Sequence, residues 1–398
     1  MHGCTNNGRF PVMLYAAVSI SDSASISPAI RTAYTEQIKE IRSGFRRIHP
    51  EIDFQISLYP ESSFIDELKQ RAESDLGPDL VITNTFLAQQ LFEEGLTHNQ
   101  AKDRDNQPRR ETLEQRSIIS ASPSRKVASA PFSIYPQLAC FNKDNLNQAP
   151  TTITELIELS DSGKRIGLST KLIQLIWSAG SNGALPAVTA ALTHQPLNPQ
   201  QKSKLTDWLA WLQQANTSEG VHFLSNHSEL RKALSVGDLD WISCNSSSIT
   251  PLIQAMGDRL GLAALPNGTP YSASPINRQR VLALGNDSSA QQRTAALRFA
   301  TYVKSPIVQQ NLSRQSADFL PANPYVKQPQ RNASAFEAMS QANEQSIASQ
   351  PSIRQFHPYS KATQQLNILL PNLIFGQASA QETTTQLLEK LSTLNEQK

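Results

Sequence analysis

Seven histidines and three cysteines are the residues with which this chain could bind a metal or move protons. The histidines are His2, His49, His98, His194, His222, His227 and His357. No two of them form a His-Glu-x-x-His pair, which would set two imidazoles one helical turn apart around zinc with the glutamate as base. His222 and His227 are near neighbours in sequence, but neither has a cysteine or an acidic partner at metal spacing. Cys4, Cys140 and Cys244 are too far apart for a paired zinc site or a redox dithiol. A serine hydrolase would carry a Gly-x-Ser-x-Gly elbow and a nucleotide binder a phosphate-cradling glycine loop; with 16 glycines the chain has neither. These residue types predict no metal, no cofactor and no enzyme. What remains is hydrogen bonding to a polar guest, which needs a few aimed groups on mostly apolar walls.

Such groups must be held in place, and the hydrophobic spacing shows by what. Residues 12–18 are an apolar run of strand length, followed by a Ser-rich loop over 19–27. Ile30, Ala33, Tyr34, Ile38, Ile41, Phe45 and Ile48 recur at helical spacing. Phe54, Ile56 and Leu58 then alternate with Gln55 and Ser57 as in a half-buried strand. Phe64, Ile65, Leu68 and Ala72 mark another helix, expected to run until Gly77-Pro78 stops it. Strand alternating with helix is the pattern of right-handed crossovers feeding a largely parallel sheet. Ligands of such sheets dock on loops leaving the carboxyl ends of the strands. That rule selects Ser21, then Asn84, Thr85 and Phe86 directly after the strand at 80–83, and the turn around Tyr135.

Further along, 152–159 reads as a helix, 165–168 as a strand and 172–179 as a helix entering on Ser169-Thr170. The helix at 205–214 carries Trp208 and Trp211 at core spacing. Short buried strands follow at 239–242 and 260–265, a returning strand at 281–284, helices at 295–303 and 306–312, and a helical tail over 336–394. Residues 99–125 are polar, with Arg104, Arg109, Arg110 and Arg116 among acids, and predict a solvated connection or a frayed helix, with a basic partner-docking patch a distant second.

Composition narrows the classes. The chain has 398 residues, 39% of them hydrophobic, enough to bury more than one core. A net charge of +2 supplies no surface for tracking phosphates, so no nucleic-acid partner is expected. No window approaches the roughly 18 uninterrupted apolar residues of a membrane-spanning helix. Cys140 and Cys244 sit in apolar strand patterns and read as small buried hydrophobes, with free thiols favoured over a disulfide.

Arg231-Lys232-Ala233-Leu234-Ser235-Val236-Gly237-Asp238, then Ala295-Ala296-Leu297-Arg298-Phe299-Ala300-Thr301-Tyr302-Val303 and a closing Leu320-Pro321-Ala322-Asn323, resemble in order the C-terminal half of the extracellular solute-binding proteins of ABC importers, family 1. Weaker matches precede them in the same order: Phe45 with His49-Pro50 and Ile52-Asp53-Phe54-Gln55-Ile56, then Pro78-Asp79-Leu80-Val81-Ile82, then Ala139-Cys140-Phe141-Asn142-Lys143-Asp144-Asn145-Leu146. The resemblance implies an α/β, two-lobe periplasmic-binding-protein fold of type II. Each lobe would be a mostly parallel sheet flanked by helices, joined to the other by a crossing-strand hinge that can close on a solute. The first lobe would take residues 10–134 and 279–326, and the second 135–278 with the helices of 327–398 packed on it.

It also implies further site residues: Tyr135 at the crossing, Trp177 on the helix after Ser169-Thr170, and Asn245, Ser246 and Ser247 in the polar loop after a buried strand. Tyr271, before the return crossing, is a similar candidate. Packing is the alternative for each: Tyr135 fills a strand end, Trp177 is buried, and the serines cap the next helix. In the maltose-binding branch a tryptophan stacks on the sugar at the position nearest Ser247, which argues against carbohydrate as the ligand here and leaves a smaller polar solute, sugar-like or other, open. A ferric-binding branch would want adjacent tyrosines, and the eight tyrosines are scattered. The implied function is capture of a small polar solute and delivery to the transmembrane subunits of an ABC permease, by a monomer. A periplasmic sensor or scaffold of the same fold is the alternative, and a hydrolase comes third, since no convergent acid, base and nucleophile is visible. Met1-His2-Gly3-Cys4 followed by Thr5-Asn6-Asn7-Gly8 resembles a lipoprotein junction lacking its upstream apolar region. The expectation is a periplasmic protein with Cys4 as lipid anchor.

Overall fold

A computed structural model describes residues 11–20, 28–98, 129–323, 325–326, 333–353 and 360–396. The chain forms two compact units, one comprising the chain up to Ile134 with Gln279–Leu312 and Pro321–Val326, the other Tyr135–Arg278, Ser313–Leu320 and Lys327–Lys398. Cys4, Ser21 and the polar connection at 99–125 lie outside the described residues.

The first unit is built on β1 (Val12–Ile20), β2 (Ile52–Pro60), β3 (Leu80–Asn84) and β4 (Ala130–Tyr135). In the second unit follow β5 (Gln137–Asn142), β6 (Ile166–Ser169), β7 (Val221–Leu224), β8 (Trp241–Asn245) and β9 (Leu260–Ala263). The return to the first unit adds β10 (Arg278–Leu284) and β11 (Leu320–Pro321). The six-stranded sheet has the order β11-β4-β10-β3-β1-β2 and the five-stranded sheet the order β7-β6-β8-β5-β9.

Within the first sheet β1 runs parallel to β2 and β3, and β10 antiparallel to β3. Alternation along β1 sends Leu14 and Ala16 into a cluster with Phe45, Phe54, Leu282 and Phe299, and Ala17 into a second cluster with Phe64, Leu68, Val81 and Leu91. Both faces are therefore covered by helices, as a crossover-built sheet requires. Phe45 anchors the first cluster, its ring 5.2 Å from that of Phe299 and 5.7 Å from that of Phe54, both edge-on. The helix Phe64–Ala72 ends short of Gly77-Pro78. Asp75 turns left-handed (φ 55°) and the N–H of Leu76 folds back onto the carbonyl of Arg71, so the chain has left the helix before the proline forces it to.

The scattered tyrosines are partly gathered by the fold, since the hydroxyls of Tyr15 and Tyr59 lie 2.6 Å apart with the Arg71 guanidinium 4.5 Å from the Tyr15 ring. Burial, then the Tyr59 hydrogen bond, pushes Tyr15 up to about 12, which holds it as a phenol and not a phenolate.

In the second sheet β6 is parallel to β7 and β8, while β5 is antiparallel to both β8 and β9. Every residue of β5 and of β8 is buried. Trp177, Trp208 and Trp241 are fully buried, and the indole N–H of Trp208 donates to Ser178 Oγ at 3.0 Å. Free thiols were the expectation for Cys140 and Cys244, and the structure corrects it: the two form a disulfide, with Cα atoms 5.9 Å apart. Leu138 faces Cys244 and Cys140 faces Ile242, so the cysteines are diagonal neighbours on one face of adjacent strands. The helix expected at 205–214 begins earlier, at Pro199, where Asn198 and Gln201 form a reciprocal cap. No helix of the described residues is long and apolar enough to cross a membrane.

Candidate functional site

Each sheet presents its polar groups where parallel strands end, which is where α/β sheets bind ligands. In the first unit this edge is formed by the ends of β1, β2 and β3 and the start of the antiparallel β10. The hydroxyls of Ser19 and Thr83 meet at 2.8 Å, buried side by side. Asn84 closes β3 and caps the helix Thr85–Glu93, its side-chain oxygen accepting the Leu87 N–H at 3.0 Å. Its amide nitrogen donates to Glu61 Oε1 at 3.1 Å. Arg280 lies opposite Asn84 in the β10 register, and its guanidinium donates to the Ser19 carbonyl at 2.7 Å. Asn84 thus joins Glu61, nine-tenths buried, and Arg280 in one polar set. Thr85 and Phe86 begin the same helix and are buried, as Asn84 is, at 4%, 8% and 4% exposure.

In the second unit the corresponding edge is made by the ends of β6, β7 and β8 and the start of β5. Gln137 opens β5 opposite Asn245, which closes β8. The Gln137 amide nitrogen donates to the Gln174 carbonyl at 2.8 Å, and its own oxygen is buried without a hydrogen-bond partner among the described residues. After Asn245 comes the short 3-10 turn Ser246–Ser248, leading into the helix Ile249–Met256. Ser246 is buried; its N–H donates to the Pro136 carbonyl at 2.8 Å and its hydroxyl to the Asp318 carbonyl at 2.5 Å. Asp318 also accepts the Thr250 N–H at 2.8 Å, and its carboxyl is pushed up by burial. Ser247 alone of this turn is exposed.

His227, the first residue of the helix His227–Val236, sits beneath the turn. Its Nε2 accepts the Asn245 N–H at 3.3 Å and lies 3.1 Å from Ser248 Oγ. An amide N–H can only donate, so Nε2 carries a lone pair and the ring is neutral with its proton on Nδ1. Burial, then the charges of Arg231 and Arg278, lowers His227 to about 4.

Of the other sequence candidates, Tyr135 lies beside the second edge, two residues before Gln137, half-buried with its ring 5.7 Å from that of Phe319. Trp177 is wholly buried, between Trp241 at 6.3 Å and Trp211 at 6.5 Å, so the packing alternative describes it. Tyr271, 40% exposed, packs on Gly183 with Lys204 5.2 Å from its ring. Gly183 follows the C-terminus of the helix Leu172–Ser181, whose N-terminus adjoins the end of β6. A helix of that length puts Tyr271 on the order of 15 Å from the strand ends, away from Asn245. Residue-by-residue reading missed Glu61, Gln137, His227, Arg280 and Asp318. The strand-end rule would have found His227 had Val221-His222-Phe223-Leu224 been read as a strand, for Val221 and Phe223 are buried and His222 is exposed.

Chemically, both edges are sets of hydrogen-bond donors and acceptors, and the one imidazole among them has its basic nitrogen committed to a backbone N–H. Among the described residues no group of three or more His, Cys, Asp and Glu side chains is arranged to hold a metal ion.

The family model described as bacterial extracellular solute-binding protein matches residues 45–343. No curated protein matches the chain significantly. Among solved structures, the chain is similar to the GacH receptor of Streptomyces glaucescens, determined without ligand and with acarbose, at 14% identity and a TM-score of 0.73 over 96% of this chain and 98% of the receptor. It is also similar to a solute-binding protein of Thermotoga lettingae bound to α-D-tagatose, at 13% identity and a TM-score of 0.69 over 96% of this chain and 99% of that one. A third is a solute-binding protein of Agrobacterium radiobacter in complex with ribitol, at 13% identity and a TM-score of 0.68 over 96% and 98% of the two chains.

Proposed function

The chain belongs to the bacterial extracellular solute-binding proteins, and from that premise we propose that it captures a small polyhydroxylated solute, a monosaccharide or polyol, and hands it unaltered to the permease of an ABC importer. The observation that carries this reading is the composition of the strand-end edges. Asn84, Glu61 and Arg280 on one unit, and Gln137, Asn245 and Ser247 on the other, offer the mixed donors and acceptors that hydroxyl groups satisfy. Among the described residues the Asn245–Ser248 turn carries no aromatic platform: Ser247 occupies its exposed position, Trp177 is in the core, and Tyr135 nearby is half-buried against Phe319. A long oligosaccharide, which gains most from stacking, is therefore a poorer fit than a single ring or an open chain. The tagatose and ribitol complexes of two of the similar structures are of the same chemical kind.

Action outside the cytoplasm agrees with the buried Cys140–Cys244 disulfide, a bond that persists in oxidising compartments. Anchoring through Cys4 and a monomeric state complete the proposal. A thermal-shift screen with ribitol, tagatose, maltose and the common amino acids tests it, because a ligand of the folded state raises the melting point by mass action. Ribitol or tagatose should raise it and amino acids should not. A response to amino acids alone would sink the polyol reading, and mass spectrometry of the recovered ligand would reveal any chemistry done on it.

A further inference from the structure

We infer that His227 is a positioning residue: its neutral imidazole holds the turn from Asn245 to Ser248 in place, so that the turn is ordered only while the ring carries no proton on Nε2. The argument starts from valence. The Asn245 N–H donates to Nε2 at 3.3 Å, and the Ser248 hydroxyl lies 3.1 Å from the same atom. Nε2 has one lone pair, and both contacts converge on it. Protonation there converts an acceptor into a donor facing another donor, and the Asn245 amide loses its partner in a buried place, where an unpaired polar group is costly. His227 therefore cannot charge without giving up Asn245, although the Ser248 hydroxyl can reverse and accept.

The surroundings reinforce this. Arg231 on its own helix and Arg278 at the start of β10 both act against a charged ring. Among the elements packed on that helix, β6, β8 and the helix Ile249–Met256 bring no titratable side chain apart from the disulfide-bonded Cys244, and the His222 of β7 is exposed. These elements bring no carboxylate; Glu229 of the same helix is exposed, and Asp318 across the turn has its carboxyl on the Thr250 N–H. Nδ1 has no hydrogen-bond partner among the described residues, so the ring's hold on the fold runs through Nε2. Asn245 and Ser247 are proposed solute contacts. Through them, and resting on the reading given under Proposed function, His227 would make capture sensitive to acid.

The test uses the whole chain without any ligand first. Protection factors for the amides of residues 245–248, measured by hydrogen exchange, should fall about tenfold at neutral pH in His227→Ala, as loss of a buried hydrogen bond to a local opening requires. His227→Gln should recover most of that protection, because its side-chain oxygen can sit near the Nε2 position and accept. As pH drops from 7 to 4, wild-type protection at these amides should decline while that of His227→Gln stays level. Equal protection in wild type and His227→Ala overturns the inference, and so does a His227→Gln profile that declines with acid like the wild type. Should the alanine variant not fold, the comparison of glutamine with wild type decides alone. A second arm measures ribitol and tagatose binding by calorimetry in the same variants, with affinity expected to track protection. If neither sugar binds any variant, the solute reading fails while the exchange result still stands or falls by itself.

Discussion

The strand ends of the two units are built from different chemistry. In the first unit the edge carries charge: the Glu61 carboxylate accepts from Asn84, and the Arg280 guanidinium is bound to the end of β1. In the second unit the edge is made of amides and hydroxyls, the one imidazole is held neutral, and a disulfide fastens the two strands that carry Gln137 and Asn245. The charged edge fixes its side chains through ionic hydrogen bonds, which are individually strong. The second edge has one such bond, from the Thr250 N–H to the Asp318 carboxyl, and otherwise relies on covalent and backbone constraint. Under the proposed function the first arrangement supplies direct attraction for a guest and the second a pre-shaped surface.

The sharpest way to break this comparison is to remove the cross-link. Cys140→Ala with Cys244→Ala opens a covalent loop whose ends are 104 residues apart, and should cost about 2–5 kcal/mol of stability. Thermal melting with and without reductant measures it. A double variant as stable as the wild type would mean that the second edge needs no covalent support.

Acid is the next lever, and it acts on the second unit. Folded His227 titrates at about 4 against an ordinary 6.5, so between those values the unfolded chain holds a proton that the folded chain lacks. Stability is full above about pH 6.5 and is lost as pH falls toward 4, by on the order of 3 kcal/mol in all. Asp318, on the opposite side of the same turn, has a raised carboxyl, so the folded chain takes up that proton first and gains stability as pH falls. The two slopes oppose one another. Urea denaturation at several pH values should show His227→Gln flattening the acid loss and Asp318→Asn steepening it.

The legibility of these features in the amino-acid sequence follows their range. Alternating apolar spacing is local, and it places β1, β2 and the helices Pro28–Ile48 and Leu172–Ser181 within a few residues of their ends. The cap at Asn198 is equally local, but the apolar spacing of its helix begins only at Leu205, beyond a polar first turn. The disulfide is not local. Whether Cys140 and Cys244 face each other depends on the register of β5 against β8, and a slip by one residue would point them to opposite faces. Asn84 was legible because it directly ends a strand, whereas Glu61 and Arg280 reach the same edge from β2 and β10, whose alignment is a tertiary fact. Tyr271 shows the converse, being close in sequence to the return crossing but carried by its loop to the far end of a helix.

Solute affinity should separate the edges next. Glu61→Gln removes a carboxylate that can accept hydroxyl protons with charge assistance, a difference of about 1.5–3 kcal/mol, and should raise the dissociation constant for ribitol or tagatose roughly 10- to 100-fold. Asn245→Ala removes a neutral amide and should cost about 1 kcal/mol, roughly fivefold. Calorimetry on both variants decides. Equal losses would show that the charge at the first edge serves the fold and not the guest.

The smallest expected effect dissects Asn84, which serves both. Its oxygen caps the helix Thr85–Glu93 through the Leu87 N–H, and its nitrogen donates to Glu61. Asn84→Ala loses both and should cost about 1 kcal/mol of stability from the cap alone. Asn84→Asp keeps an oxygen for the cap and places a negative charge at the helix N-terminus, where it is favourable. It also replaces the donor to Glu61 with a like charge, which at that distance raises one of the two carboxyls. Its stability should therefore match the wild type at pH values where one carboxyl is protonated and fall below it as both ionise. Affinity for the solute should fall over the same range if Glu61 accepts from the guest. A melting profile for Asn84→Asp that is independent of pH would place Glu61 and Asn84 too far apart to act as one set, and the first edge would then be no more coupled than the second.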